Sequence, residues 1–260
     1  SGANFSVLLQ RFNETANFAV KHWRFSAQCG ILTLFNAKKC SFPQRKNLAA
    51  CVWGAGKGRT LCAKMERRCT ERGEASVKKR ILLGLISVFK ALYNAVYAVM
   101  KLRPMQKKVV MISRQSNSQR PDFEQLGTEI EARDPGVRLV YLCREMGDTP
   151  LELLRYCFHL LHCAAELSTA HVCIIDGYCI PVSVLHHRKE LRVVQVWHAL
   201  GAIKKFGRQA LSVPGGRDKE LAERMGMHKH YDAVLCASHR TAKAYEEAFG
   251  VSADHTLPTD

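Results

Sequence analysis

The sequence has little acidic charge for its length. Its 260 residues include 39 Lys and Arg but only 23 Asp and Glu, which leaves a formal net charge of +16. A strongly basic chain favours anionic partners such as nucleic acid, anionic lipid or a phosphate-bearing substrate. The excess is concentrated in residues 1–76, where 13 basic side chains face 4 acidic ones. Nonspecific attraction to anions is therefore expected mainly from that segment.

The short motifs that hold nucleotides or metals are absent or incomplete. No Gly-x-Gly-x-x-Gly follows the first predicted strand, which excludes the usual dinucleotide site. The stretch Gly54–Arg59 matches only part of a phosphate loop, because Cys51 and Gly58 stand where Gly and Ser or Thr are needed. Four cysteines recur every 11 residues, too far apart for the paired ligands of a zinc knuckle: Cys29, Cys40, Cys51 and Cys62. The sequence therefore predicts no metal site and no cofactor.

The start of the chain lacks a secretory signal. Ser1–Gln10 has no basic start followed by an apolar stretch and a small-residue cleavage site. Most of the cysteines beyond position 100 lie in apolar runs, where cysteine acts as a small buried hydrophobe, and this favours a reduced cytosolic environment. We interpret residues 1–76 as a basic leader of low order, either native or translated from upstream of the natural start. A nucleic-acid arm is the alternative, although aromatic residues for base stacking are not interleaved.

Residues 77–104 predict an amphipathic helix at a membrane interface. Six apolar residues follow three- and four-residue steps and so share one helix face: Leu82, Leu85, Phe89, Leu92, Val96 and Val99. Basic residues at both ends suit an anionic membrane surface, and Tyr93 and Tyr97 could serve as interface anchors. A membrane-spanning helix and a buried core helix are the alternatives. The length suits a span, but Lys90 and Asn94 lie in its middle.

Residues 105–260 alternate between predicted strands and helices. The strands are predicted at 108–113, 137–143, 171–177, 192–198 and 231–238, and the helices at 121–133, 149–168, 181–189, 218–225 and 239–249. Strands that are apolar almost throughout are typical of a parallel sheet buried on both faces. Alternation with helices then predicts an α/β fold, a doubly wound parallel-sheet, Rossmann-like domain.

Several polar residues lie at the carboxyl ends of the predicted strands, where sheets of this kind bind ligands. His198 ends the fourth strand, and a neutral imidazole there can take a proton from an alcohol. Lys204 and Lys205 follow within seven residues and can hold a phosphate. Asn117 and Ser238 lie just beyond the first strand and at the end of the fifth and are predicted to bind substrate. For His198, the alternative is a core histidine bonded to the backbone.

One stretch carries a resemblance to a known family. The segment Gln195-Val-Trp-His-Ala-Leu-Gly-Ala-Ile-Lys-Lys-Phe-Gly207 resembles the Trp-His-Gly signature, followed by Leu-Lys-Lys-like residues, of the CDP-glycerol:poly(glycerophosphate) glycerophosphotransferase family of teichoic acid primases and polymerases. The strand ending in Ser113, with Asn117 nearby, is similar too, as are Ile175-Asp176 and residues 232–250. The resemblance covers residues 80–260, and its specific part is the segment around His198.

The resemblance implies the N-terminal half of a two-Rossmann type B glycosyltransferase fold, attached peripherally to the cytoplasmic face of the cell membrane. It implies transfer of glycerol phosphate from CDP-glycerol to a hydroxyl of a teichoic-acid-like polymer or its lipid-linked primer, with release of CMP. His198 would be the base. CDP-glycerol, a polyol-phosphate acceptor and, through 77–104, an anionic membrane surface would be the partners, and nucleic acid is not expected.

The sequence departs from the family pattern in two places. Ala199 stands where the family has Gly, and the chain ends at Asp260, where the donor-binding domain of the family would begin. We therefore expect this chain to supply the base-bearing half and to be inactive alone. Two other functions stay open: a nucleotide-sugar glycosyltransferase or epimerase of the same architecture, and a non-catalytic basic binding module.

Overall fold

The computed structural model of the protein describes residues 57–199, 202, 204–211, 213 and 216–259. Its first helix, α1, spans Lys57–Met100 and so begins well before the predicted start at Val77. Residues 57–76, for which the sequence predicted little order, are rich in Lys, Arg, Glu and Ala, which favour helix even without apolar periodicity. The rest of the predicted leader, residues 1–56, lies outside the described residues. The division into 1–76, 77–104 and 105–260 stays a prediction.

The described chain falls into two compact units, one that includes α1 up to Leu85 and one that begins at Ile86. The second unit contains β1 (Lys108–Ser113), α2 (Pro121–Arg133), β2 (Arg138–Cys143), α3 (Pro150–Leu167), β3 (Val172–Ile175), α4 (Ile180–Val184), β4 (Arg192–Gln195), α5 (Lys219–Arg224), β5 (Ala233–Cys236), α6 (His239–Phe249) and β6 (Thr256–Pro258), with short 3-10 turns at Gly207–Ala210 and Ala253–His255. All strands pair in parallel, in the order β2-β1-β3-β4-β5-β6.

Helices cover both faces of this sheet. On one face Phe123 of α2 packs in a cluster with Met111 of β1. On the other face Ile112 of β1 packs in a cluster with Leu160 of α3 and Phe249 of α6. Successive residues of β1 therefore point to opposite apolar layers, as the strand pleat requires. The predicted doubly wound parallel α/β fold is confirmed.

Prolines and capping residues set most helix boundaries where the sequence predicted them. Pro121 and Pro150 occupy the first turns of α2 and α3, where the missing N–H costs nothing. Thr149 caps α3 by accepting the backbone N–H of Glu152. Gly250 ends α6 with φ 68°, a left-handed conformation that glycine adopts without strain.

The largest departures from the prediction are a shortened helix, a shortened strand and an additional strand. The helix predicted at 181–189 ends at Val184, because Leu185 already has extended backbone. Strand β4 ends at Gln195 and does not reach His198, because Trp197 has a φ of 55°, outside the β region. Strand β6 was not predicted. It is short and lies at the sheet edge, where its Pro258 is tolerated.

The cysteines of the described region behave largely as predicted. Six of them are free thiols, and Cys163, Cys173, Cys179 and Cys236 are buried, whereas Cys157 is exposed. Burial is the largest cause of the raised pKa of the Cys163 and Cys173 thiols. These side chains therefore fill the core as neutral apolar groups.

The two faces of α1 have different surroundings. All six residues of the predicted apolar face are exposed to solvent: Leu82, Leu85, Phe89, Leu92, Val96 and Val99. Tyr93 and Tyr97, predicted as membrane anchors, are only 4% and 1% exposed. The Tyr93 hydroxyl donates to the main-chain oxygen of Leu160 at 2.5 Å. The anchor role is therefore wrong for these tyrosines, which bind the part of α1 from Ile86 onward to the α/β domain.

His187 is the buried partner of Tyr97. Its Nε2 lies 2.9 Å from the carbonyl oxygen of Val182, which can only accept, so Nε2 carries the hydrogen. Its Nδ1 then accepts from the Tyr97 hydroxyl at 3.0 Å. Burial is the main cause that lowers the pKa of His187 to about 4 and that of His228 to about 3. Both rings are therefore neutral at physiological pH.

These two histidines predict an acid-sensitive fold. Their pKa values are below the ordinary 6.5, so below that pH the unfolded chain binds more protons than the folded one, and stability falls as the pH drops from about 6.5 toward 4. Each should contribute a slope of about 1.4 kcal/mol per pH unit. Urea unfolding at several pH values measures the slope. His187→Gln should flatten it, and comparison with that variant cancels every other titrating group. A variant slope equal to that of the parent would contradict this account.

Candidate active site

A cleft of about 370 Å³ opens at the carboxyl ends of β1, β3 and β4. Its walls include residues that directly follow these strands: Arg114, Gln115, Gly177, Tyr178, Trp197 and His198. Arg217 and His228 line it from a later segment. Strands β2 and β3 lie on opposite sides of β1, so the cleft lies where the order of strands reverses. This is the position where open α/β sheets bind ligands, and the volume is typical of small-molecule sites.

A backbone hydrogen bond selects one tautomer of the neutral His198 ring. Its Nδ1 lies 2.8 Å from the main-chain oxygen of Asp176. A carbonyl oxygen can only accept, so Nδ1 carries the hydrogen, and Nε2 of the neutral ring keeps its lone pair. The structure thus shows the backbone bond that the core-histidine alternative required, but it also places the half-buried ring in the cleft wall. The ring can accept a proton from an alcohol bound there.

A buried glutamine shapes the turn that presents His198. The side-chain oxygen of Gln195 accepts the backbone N–H of Trp197 at 2.9 Å, and its Nε2 donates to the Gly177 carbonyl at 3.2 Å. Gln195 is fully buried, so these bonds satisfy polar groups that would otherwise be costly. Trp197 has a φ of 55°, which is strained for a residue with a side chain. Its ring stacks on Phe206 with centroids 5.0 Å apart.

Helix α6 packs against the same turn. The hydroxyl of Tyr245 donates to the Ala199 carbonyl at 2.9 Å. Phe249 packs edge-on against Trp197, with ring centroids 5.3 Å apart. The chain on either side of His198 is thus bound to the domain core, and Ala199, which stands at the glycine position of the family pattern, takes part through its carbonyl.

Asp176 joins the ends of β1 and β3. Its Oδ2 accepts from the Ser113 hydroxyl at 2.6 Å and lies 3.7 Å from a guanidinium nitrogen of Arg120. The side chain is 1% exposed, and burial raises the pKa of the carboxyl, partly offset by the Ser113 bond and Arg120. The main-chain oxygen of Asp176, and not its carboxylate, is the hydrogen-bond partner of His198 Nδ1. Its role is to fix the backbone whose carbonyl orients the ring.

The four predicted substrate-binding residues lie apart from the described cleft lining. Lys204 and Lys205 are both exposed. Asn117 accepts the backbone N–H of Glu145 through its Oδ1 at 3.1 Å. Ser238 caps α6 in a reciprocal arrangement with Thr241. Their substrate-binding role stays a prediction.

Two further histidines have partners outside the cleft. Nε2 of His159 lies 3.5 Å from the sulfur of Cys163 on α3. His187 is the hydrogen-bond partner of Tyr97. Among the described residues, no group of three His, Cys, Asp or Glu side chains could hold a metal ion.

Sequence reasoning did not single out Arg114, Tyr178, Arg217 or His228, all of which line the cleft. Arg114 was within reach of prediction, because it directly follows β1. Arg217 was not, because it follows an irregular stretch with no periodic signal. The described lining of the cleft thus contains two arginines, whereas the sequence predicted that two lysines, Lys204 and Lys205, would bind phosphate.

A doubly wound α/β domain with His198 and two arginines in the cleft at its strand ends has the architecture of α/β domains that bind small molecules. The chain matches the family described as CDP-Glycerol:Poly(glycerophosphate) glycerophosphotransferase over residues 95–259. The chain belongs to that family. The resemblance found in the sequence is thereby confirmed.

Individual relatives support the same grouping. The chain is 29% identical over 175 residues to the teichoic acid ribitol-phosphate primase of Bacillus spizizenii. This alignment covers 67% of this chain and 45% of the relative. It is 28% identical over 99 residues to the teichoic acid glycerol-phosphate primase of Bacillus subtilis, covering 38% and 26%. The chain thus spans less than half of the length of these curated relatives. A solved structure of the wall teichoic acid polymerase TagF superposes with a TM-score of 0.45 at 11% identity, covering 68% of this chain and 47% of that one.

The support of the His198 turn by α6 gives a test that needs no substrate. Tyr245→Phe removes the hydrogen bond to Ala199 with little change in packing, and Tyr93→Phe removes an equivalent bond from α1 to Leu160. Each change should cost about 1 kcal/mol of stability. Only Tyr245→Phe should shift the ring resonances of His198 in an NMR spectrum. Unchanged resonances in Tyr245→Phe, or equal shifts in both variants, would contradict a specific link from α6 to the turn.

Proposed function

We propose that this chain carries the base-bearing half of an enzyme that transfers glycerol phosphate from CDP-glycerol to a hydroxyl of a teichoic-acid-like polymer or its lipid-linked primer and releases CMP. The carrying observation is His198, whose Nδ1 is bonded to a carbonyl while the ring lines the ligand cleft. Family membership over residues 95–259 supports the reaction class. Ribitol phosphate is the second candidate for the transferred group, because one relative is a ribitol-phosphate primase.

In the proposed reaction, the acceptor hydroxyl lies within hydrogen-bond reach of Nε2 of His198. As its oxygen attacks the phosphorus that carries the glycerol, the proton passes to Nε2, a new P–O bond forms, and the P–O bond to CMP breaks. An alcohol is far too weak an acid to ionise alone at neutral pH, so a positioned base contributes about 10²–10⁴-fold to the rate. Lys204, Lys205, Asn117 and Ser238 are retained as candidate substrate contacts from the sequence.

Replacing His198 tests this role in the protein that carries this chain. His198→Ala and His198→Gln should lower kcat for CMP release by about 10²–10⁴-fold, and the melting temperature should change little, because the ring is only half-buried. His162→Ala, on an exposed position of α3, is the matched control and should leave turnover unchanged. A large fall in melting temperature with nearly normal turnover would show that His198 is structural.

We also propose that α1 attaches the protein peripherally to the cytoplasmic face of an anionic membrane. By length and composition Val77–Met100 could cross a bilayer. However, one side of its second half is occupied by protein: Tyr93 and Tyr97 are buried, and Lys90 Nζ donates to the Arg224 carbonyl at 2.8 Å. A helix bound to a domain along one face and apolar along the other suits the membrane surface.

Helix α3 also has exposed apolar residues. It contacts α1 through the Tyr93–Leu160 bond, and it exposes four large apolar residues at helical spacing: Leu151, Leu154, Phe158 and Leu161. Exposed apolar surface of this kind marks interaction sites in soluble proteins. The lysines and arginines at the ends of 77–104 match the negative charge of phospholipid headgroups.

Charge placed on the apolar face should abolish membrane binding. Leu92→Glu with Val99→Glu should lower the fraction that sediments with phosphatidylglycerol-containing vesicles by at least about tenfold, because each side chain loses apolar burial of about 1.5–3 kcal/mol. The control, Gln125→Glu with Thr128→Glu, adds the same charge to exposed positions of α2, on the opposite face of the sheet. High salt should weaken binding by the parent protein. Equal sedimentation of the two double variants would rule out docking through α1.

A further inference from the structure

We propose that Arg114 and Arg217 form a phosphate site beside His198 that holds the acceptor through the phosphodiester next to its terminal hydroxyl. The inference rests on the proposed function and adds the feature by which the acceptor is selected. The enzyme would then extend polyols that already carry a phosphate and discriminate against neutral polyols.

Both arginines lie over the ring of Tyr178 in the cleft wall. The Arg114 guanidinium carbon is 5.9 Å, and that of Arg217 5.6 Å, from the centre of the Tyr178 ring. The ring is fixed, because its hydroxyl donates to the Met225 carbonyl at 3.2 Å. Stacking of this kind favours arginine over lysine and keeps the planar fork in a defined orientation. The two cations thus share one rigid aromatic support in the cleft.

The hydrogen-bonding capacity of Arg114 is not used up by the protein. Its Nη1 donates to the Tyr178 carbonyl at 3.1 Å. Its Nε is enclosed, yet it has no hydrogen-bond partner among the described residues. The enclosed Nε is out of reach of a ligand in the cleft, so a phosphate would contact this guanidinium through its η nitrogens. Arg217 is exposed at the cleft, where its guanidinium can reach a bound molecule.

The charge of the cleft selects an anion. Both arginines line the cleft, and none of the described residues in its lining is Asp or Glu. His228, also in the lining, is neutral, because burial and the charges of Arg217 and Arg208 lower its pKa to about 3. Two guanidinium groups without an acidic partner in the lining repel each other, and a bound phosphate relieves this repulsion. Paired arginines bind phosphate oxygens with short charge-assisted hydrogen bonds.

The acceptor, not the donor, is the expected owner of this phosphate. The hydroxyl that gives its proton to His198 must lie at the ring, between the donor phosphorus that it attacks and the acceptor atoms bonded to it, and these acceptor atoms fill the remainder of the same cleft. In a polyol-phosphate chain the next charged group along from a terminal hydroxyl is a phosphodiester, only a few bonds away. Lys204 and Lys205, the cations suggested by the sequence, do not belong to the described lining.

Two matched acceptors test the proposal: one ends in a glycerol joined through a phosphodiester, and the other in the same glycerol joined through an uncharged ether. The parent enzyme should prefer the charged acceptor in kcat/KM by about tenfold or more. Arg114→Gln and Arg217→Gln should each raise KM for the charged acceptor by about 10- to 100-fold. KM for CDP-glycerol and kcat/KM for the neutral acceptor should stay unchanged. Arg133→Gln, on α2 away from the cleft, is the control. Arg114→Lys keeps the charge without the fork and serves if Arg114→Gln does not fold.

The outcomes separate this inference from the proposed function. Discrimination that persists in both arginine variants, or a rise in KM for CDP-glycerol with no effect on the acceptor, would overturn the acceptor site. If His198→Ala does not lower the rate of CMP release, the proposed function fails. Calorimetric titration of the phosphodiester acceptor then still decides, because it needs no turnover. Weaker binding to both variants than to the parent supports the site, and equal binding refutes it.

Discussion

A chain of hydrogen bonds across three neighbouring strand ends is the interaction on which the cleft depends. Ser113, the last residue of β1, donates to the Asp176 carboxylate after β3, and the Asp176 carbonyl accepts from His198 after β4. Parallel strands necessarily end at one edge, which leaves polar groups there that need partners. Here those partners fix the tautomer of the ring and the position of the walls. The parallel sheet thus supplies the site with its geometry.

Most of the fold was predictable because each signal was local. Near-continuous apolar runs identified five strands. Pro121 and Pro150 marked helix starts, and Gly250 marked a helix end, because these residue types favour those positions. Strand β6 gave no such signal, since it is three residues long and contains Pro258. The helical segment 57–76 was missed because its propensity is high while its apolar periodicity is weak.

The site was predictable only where its residues follow a strand directly. His198 could be found in this way, and Arg114 could have been. Lys204 and Lys205 were predicted to bind substrate because they are close to His198 in sequence. They follow an irregular stretch and lie at exposed positions. Arg217 reaches the cleft through tertiary packing that no local pattern records. Helix α1 shows a related limit. Its apolar stripe has the same spacing for a core as for a membrane, and only the buried Tyr93 and Tyr97 reveal which side meets the protein.

The left-handed backbone of Trp197 links the cleft to the deepest part of the domain. A conformation with φ 55° persists because Phe206 and Phe249 hold the indole ring in place. The turn therefore cannot open on its own without disrupting an aromatic cluster that also contains Tyr245. We therefore expect the amides of Trp197 and His198 to exchange with solvent hydrogen more slowly than those of an ordinary surface loop. The histidine is thus kept ready before any ligand arrives, and substitutions buried in α6 can alter chemistry at a cleft that they never touch.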